Sequence, residues 1–422
     1  MKLPDSLNIE FIRAIPKTDL HVHLDGSLRL ETLIELAKAQ SVELPSYNPE
    51  GLKELVFKDR YADLGEYLHG FQYTCAVLRE PEALERVAYE LAIDSFAEGV
   101  RYIEPRFAPQ LNASEKLSIE EVLLAVDRGL AKAKSEINQR DPIASGKEPP
   151  FDYGIIGCAM RKFGKTFSPY YNTFIGCHRY APVSQVFPLA SMELVQALIG
   201  TRDRRGVPVV GFDLAGEEKG WPANAHRKAF EYAHQHFLMK TIHAGEAYGP
   251  SSIFQAITQC HADRIGHGTH LFASDLVEHI PSSERESYTE ALVQYIADRR
   301  ITIEVCPTSN LQTIPSIGEI ANHPVKRMLS ERLSVTICTD NRLVSGTTVT
   351  EEILKIVTAF QVTPDILRDM IIYGFKRSFS PLPYVQKRAY VRRVIDYYQK
   401  IEGEFGITSP NSSLYKKSLP LG

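Results

Sequence analysis

The feature that most constrains this chain is a strand–helix alternation repeated along most of its length. Short β-branched or apolar runs at Thr18–His23, Arg101–Phe107, Asp152–Ala159 and Pro208–Leu214 read as strands. Leu238–His243, Arg264–His267, Thr302–Val305 and Ser334–Cys338 bring the number to eight, with helical patterns between most of them. Leu84, Val87, Ala88, Leu91 and Ala92 have the three-and-four spacing of a buried helix face. Ser118 with Glu121 reads as a capping box opening a helix toward Asn138, and Thr348 with Glu351 as a second one after the last strand. Eight such units argue for a parallel sheet, which closes as a (β/α)8 barrel. The expected fold is therefore α/β, a TIM-type barrel with extra helices, in one domain over residues 1–422. The tail from about Asp365 to Ile401 is expected to be helical and to pack outside the barrel.

Two stretches break the alternation. Arg140–Pro150 reads as a surface loop. Arg161–Pro188, rich in Gly, Tyr, Pro and Phe, is longer than a strand-to-helix loop should be and is expected as an inserted loop after strand three. It would lie over the C-terminal face of the barrel, either as a lid or specificity loop or as a structural insertion. Both readings stand at this point.

Composition narrows the partners. An apolar fraction of 44% and a charged fraction of 24% are those of a soluble globular chain. A formal net charge of −4, with Lys and Arg dispersed, gives no footprint for nucleic acid. No apolar run suggests a membrane span, and the N-terminus lacks the pattern of a secretory signal. The six cysteines form no CxxC pair, and Cys158, Cys306 and Cys338 fall in apolar runs, as buried free thiols in a reducing compartment would. The expected location is the cytoplasm. The expected partner is a small molecule, and oligomeric state is not legible.

Chemistry-bearing residues gather at the expected C-terminal ends of the strands, where barrel enzymes place their active sites. The first strand ends in HVHLDG. His21 and His23, two residues apart on a strand, share a face and point together into the barrel mouth. The fifth ends in HAGE, His243 to Glu246; the sixth in RIGHG with His267; the eighth is followed by TDN with Asp340 and Asn341. Singly, each is an ordinary structural residue. Together, three imidazoles and a carboxylate form a set that suits one Zn²⁺ while leaving a position for water. Bound zinc brings the pKa of water from about 15.7 to near 7. Glu246 and His267 are then left for proton transfer.

Two other zinc chemistries are weighed against the same residues. Base deaminases of the cytidine type need an HxE pair with a PCxxC pair, and this chain has neither. Two-metal barrel hydrolases commonly bridge their ions with a modified Lys at the end of strand four. Here that strand reads VPVVGFDLAGEE, with Asp213 and no Lys before Lys219. One metal per chain is expected.

HVHLDGS, GFDLAGEE, HAGE, DRIGHG, EVCPTSN and TDN, in this order from Pro16 to Thr348, resemble the adenosine deaminase family. The resemblance implies hydrolytic deamination of adenosine or a close 6-aminopurine nucleoside, by attack of a zinc-bound hydroxide on C6. It implies His21, His23, His243 and Asp340 as zinc ligands, Glu246 as the proton donor to purine N1, and His267 as the residue that orients the water and takes its proton. It also implies Gly216 as an N–H donor to N3, Asp25 as the partner of the ribose hydroxyls, and Asp213 as a brace. One departure is that the family often has two consecutive aspartates where this chain has Asp340-Asn341. Asn donates to N7 from its amide, whereas Asp must be protonated to do so. Alternative substrates under the same resemblance are adenine, an N6-methylated nucleotide and aminodeoxyfutalosine. A silent binding relative has no reason to keep Glu246 and His267. Arg342 reads as a surface residue, with approach to an anionic substrate group as the alternative. His226, His234, His236, His261 and His279 read as solvated or structural, and Trp221 as the opening of a helix. Tyr170 and Tyr171 read either as substrate contacts or as surface packing.

Overall fold

All eight apolar runs form strands. The computed structural model describes residues 7–407. The strands are β1 (Lys17–His23), β2 (Val100–Phe107), β3 (Ile155–Met160), β4 (Val209–Ala215), β5 (Met239–Ala244), β6 (Arg264–His267), β7 (Thr302–Val305) and β8 (Val335–Ile337). They pair in parallel in chain order. The third run differs from its expected form, because it is split. A two-residue strand, Asp152–Tyr153, precedes β3 and also pairs with β2, with Gly154 separating the two. Backbone hydrogen bonds close the ring between its first strand and the residues after its last. Asp340 N–H donates to the carbonyl of His21 at 2.8 Å, and His23 N–H donates to the carbonyl of Asp340 at 2.7 Å. On the β1 side of the same seam, Asp19 accepts from the Thr339 hydroxyl at 2.6 Å. The barrel is thus a closed (β/α)8 ring, and its last stitch lies between the two histidines of β1.

Helices precede the strands as the alternation requires: Pro81–Ala97 before β2, Ile119–Asn138 before β3, Val183–Arg205 before β4 and Arg285–Arg299 before β7. Ser118 caps its helix with the full reciprocal box. Thr348 accepts from Glu351 N–H at 3.2 Å and opens Val349–Phe360. Leu84, Val87, Ala88, Leu91 and Ala92 are buried, as their spacing requires.

Several elements differ from the sequence reading. The Arg161–Pro188 stretch is not a plain loop: it carries the helix Pro169–Cys177, and Val183–Arg205 begins inside it. Arg140–Pro150 includes one helical turn, Asp141–Ala144. Val183–Arg205 is long and apolar enough to cross a membrane, contrary to the expectation that no run is. Its Leu194, Val195 and Leu198 are buried in the main core, and Arg202, Arg204 and Arg205 occupy its last turn. The tail is two helices, Pro364–Arg377 and Tyr384–Glu404, parted around Pro381 and Pro383. The first packs on β1 and β8 and belongs to the barrel wall. Cys177 is exposed, while the other five thiols are buried. Between β1 and β2, the helices Leu30–Ala39, Pro49–Leu55, Leu64–His69 and Phe71–Val77 form an insertion that the alternation did not reveal.

Candidate active site

The strand ends converge as their periodicity demands. Side-chain ligand atoms of His21, His23, His243 and Asp340 lie within 4.8 Å of one another. Asp340 Oδ1 is 3.5 Å from His21 Nε2 and 3.4 Å from His23 Nε2. Asp340 and His267 both have left-handed backbones (φ 62°), a conformation uncommon for residues with a side chain and concentrated at functional sites.

Carboxylates aim two of these rings. His21 Nδ1 lies 2.8 Å from Glu304, and His243 Nδ1 lies 3.1 Å from Asp213. Each carboxylate accepts a hydrogen bond from Nδ1–H and so turns the Nε2 lone pair inward. Arg106, fully buried, joins the two: Nη1 donates to Asp213 and Nη2 to Glu304, each at 2.9 Å. Burial raises the Glu304 pKa, but Arg106 and Arg264 outweigh it and hold the carboxyl well below its usual range.

The donor set fits a single metal ion. His21 Nε2 is buried with no hydrogen-bond partner. His23 Nε2 and His243 Nε2 stand 3.2 Å apart, close enough for one ion to be held by both. Among the described residues, no second group of this kind converges.

Glu246 and His267 stand at the same centre, with His267 Nε2 4.0 Å from Glu246 Oε2. Burial, with Asp340 and Glu218 adding, pushes the Glu246 carboxyl up to about 8. Its loop is held by Glu218, which accepts the N–H groups of Gly245, Glu246, Ala247 and Tyr248 at 2.6–3.1 Å.

These groups open into a cavity of about 560 Å³ that Asp25, Gly216, Asn341 and Tyr67 also line. Asp25 Oδ1 is buried without a hydrogen-bond partner. Gly216 turns the chain at φ +90°, where a side chain would be strained. Asn341 Nδ2 donates to Tyr67 Oη at 2.8 Å. Gly26 is required beneath it, because a Cβ there would overlap Asn341 Oδ1.

The insertion after β3 divides in two. Lys162, Thr166 and Phe167 line the cavity. Phe163 and Tyr171 stack at 4.0 Å in a satellite core, and neither Tyr170 nor Tyr171 reaches the cavity. Arg342 is not a surface residue: its guanidinium pairs with Glu98, and both side chains are largely buried. Trp221 precedes its helix and packs on Phe187. His226 is buried against Ser191 Oγ at 2.8 Å, a structural role. His234, His261 and His279 are exposed and His236 is half-buried, all of them away from the cavity.

A family model described as adenosine deaminase matches residues 16–397. The chain belongs to the adenosine deaminase family. An adenosine deaminase from Mycobacterium leprae is 36% identical over 392 residues, which are 92% of this chain and 96% of that protein. A probable adenosine deaminase from Dictyostelium discoideum is 32% identical over 396 residues, 93% of this chain and 44% of its own length. An amidohydrolase from Burkholderia ambifaria, solved with bound zinc, shares the fold with a TM-score of 0.75 over 97% of each chain at 18% identity.

In this family member, Glu304, Arg106, Glu218, Asn310 and Tyr67 were not foreseen from the sequence. Glu304 and Asn310 lie inside EVCPTSN and Glu218 inside GFDLAGEE, so the signal was present as motif residues without a role. Tyr67 lies in the unforeseen insertion and had no signal at all.

Proposed function

We propose that this chain hydrolytically deaminates adenosine, or a closely related 6-aminopurine nucleoside, to the 6-oxo purine and ammonia. The observation that carries the reading is the convergence of a four-ligand group, Glu246 and His267 on one cavity. One zinc per chain is proposed for the ligands, supported by their chemistry and by the zinc-bound neighbour. Zinc, when bound, supplies the Lewis acidity that makes water a nucleophile near neutral pH.

The chain's own groups do the rest. Glu246, held protonated by burial, donates to purine N1 and withdraws electron density from C6. His267 orients the water. Asn341 donates its amide to N7, Gly216 its backbone N–H to N3, and Asp25 accepts from the ribose hydroxyls. Loss of the adenosine absorbance band is the test, run beside adenine, an N6-methylated nucleotide and aminodeoxyfutalosine. No turnover on any of them sinks the proposal. Metal analysis is expected to return about one zinc per chain, and two tightly held ions would overturn that stoichiometry.

Glu218→Gln replaces an acceptor of four N–H groups with an amide that repels some of them. Displacing the Glu246 loop is expected to lower kcat by about 100-fold with metal content unchanged. Steady-state kinetics beside metal analysis check this.

A further inference from the structure

We infer that Asn310 and His323 are positioning residues that hold His267 with its proton on Nε2, so that it presents an N–H to the reacting centre, given the reading above of this cavity as the reaction site. The chain of hydrogen bonds begins at a group that cannot change its polarity. Val325 N–H, a backbone donor, points at His323 Nδ1 at 3.1 Å, so that nitrogen carries the lone pair. His323 is buried, and burial pulls its pKa down to about 4, leaving a neutral ring whose one proton sits on Nε2. That Nε2 lies 3.2 Å from Asn310 Oδ1 and donates to it. The Asn310 amide is thereby oriented, and its Nδ2 donates to His267 Nδ1 at 3.0 Å. Turning the amide over would set N–H against N–H at His323. All three side chains are buried, so no water relieves such a clash.

His267 Nδ1 is therefore an acceptor, and the ring's proton is on Nε2, the nitrogen facing Glu246. A ring with protons on both nitrogens is opposed by the same amide. This revises the expectation that His267 takes the water's proton. Deamination forms the C6–O bond, breaks C6–N6 and divides the two water protons between purine N1 and the departing ammonia. With no lone pair at His267 Nε2, that traffic runs through Glu246, while His267 donates a hydrogen bond to the attacking oxygen. Glu246 gives its proton to purine N1, takes one from the attacking oxygen, passes it to the departing ammonia and takes the second from the same oxygen.

The test uses the zinc-loaded protein with ¹⁵N-labelled histidine. Long-range ¹⁵N–¹H correlations are expected to show His267 protonated at Nε2 and bare at Nδ1, with the signals assigned by their loss in His267→Asn. Asn310→Asp keeps the size and reverses the polarity, so the proton is expected to move to Nδ1. kcat then falls about 100-fold, as for loss of one donor to a developing oxyanion, with KM and zinc content little changed. His323→Gln keeps an N–H toward Asn310 and is expected to retain the wild-type tautomer. A wild-type ring protonated at Nδ1 overturns the inference, as does an Asn310→Asp variant with unchanged tautomer or unchanged kcat. The tautomer is read independently of turnover, so failure of the substrate panel leaves this result distinguishable.

Discussion

Glu246→Gln is expected to keep its metal and its fold and to lose about 10²–10⁴ in kcat. The amide matches the carboxyl in size and still reaches purine N1 as a donor, so KM changes little. What it lacks is a proton to give. A loss in kcat at unchanged KM marks an interaction made in the transition state. Full activity of the variant would falsify the donor assignment. Stability of the metal-chelated protein gives a second reading. The Glu246 carboxyl stands at about 8 in the folded chain against an ordinary 4.5. Below 4.5 it is protonated in both states. Between the two values the folded chain holds a proton that the unfolded chain releases, so stability falls as pH rises through that window. Glu246→Gln has no such proton, and its stability relative to wild type is expected to grow from pH 4.5 to 8. Parallel pH profiles in denaturant unfolding would count against the raised carboxyl.

The barrel was legible because its code is local: apolar runs of strand length, spaced by helical patterns, recur eight times. The ligands were legible for a related reason. A strand's period of two puts His21 and His23 on one face, and barrel topology puts His243 and Asp340 at the same end. What stayed hidden depends on contacts between distant segments. Arg106 and Glu304 meet across 198 residues, and no pattern within either segment predicts the other. The helical insertion after β1 carries ordinary amphipathic patterns, so nothing in it announces that Tyr67 reaches Asn341. The stretch after β3 is visibly too long for a loop, but its helix is short and poorly patterned. Asn310 and His323 acquire meaning only through the direction of a hydrogen bond, and direction is set by the backbone amide of Val325.

Arg106→Met is expected to cost about 3–5 kcal/mol of stability, because it removes one member of a buried charge network and leaves the others in place. Asp213 and Glu304 are both fully buried, and Arg106 is the cation between them. Glu304 keeps Arg264 at 2.5 Å and the Thr241 hydroxyl at 3.0 Å, but Asp213 loses its one guanidinium partner. The two carboxylates then repel across the gap. Because they aim His243 and His21, metal affinity is expected to fall about 10–100-fold in the same variant. Arg128→Met is the control: its pairing with Glu85 is exposed, 52% and 37% for the two side chains, and exposed pairs contribute about 0–1 kcal/mol. Denaturant unfolding and competition with a chelator separate the outcomes. A variant as stable as Arg128→Met would mean that the barrel interior tolerates the unpaired carboxylates. A destabilised variant with unchanged metal affinity would mean that the carboxylates hold their imidazoles without Arg106, and that the network supports the barrel alone.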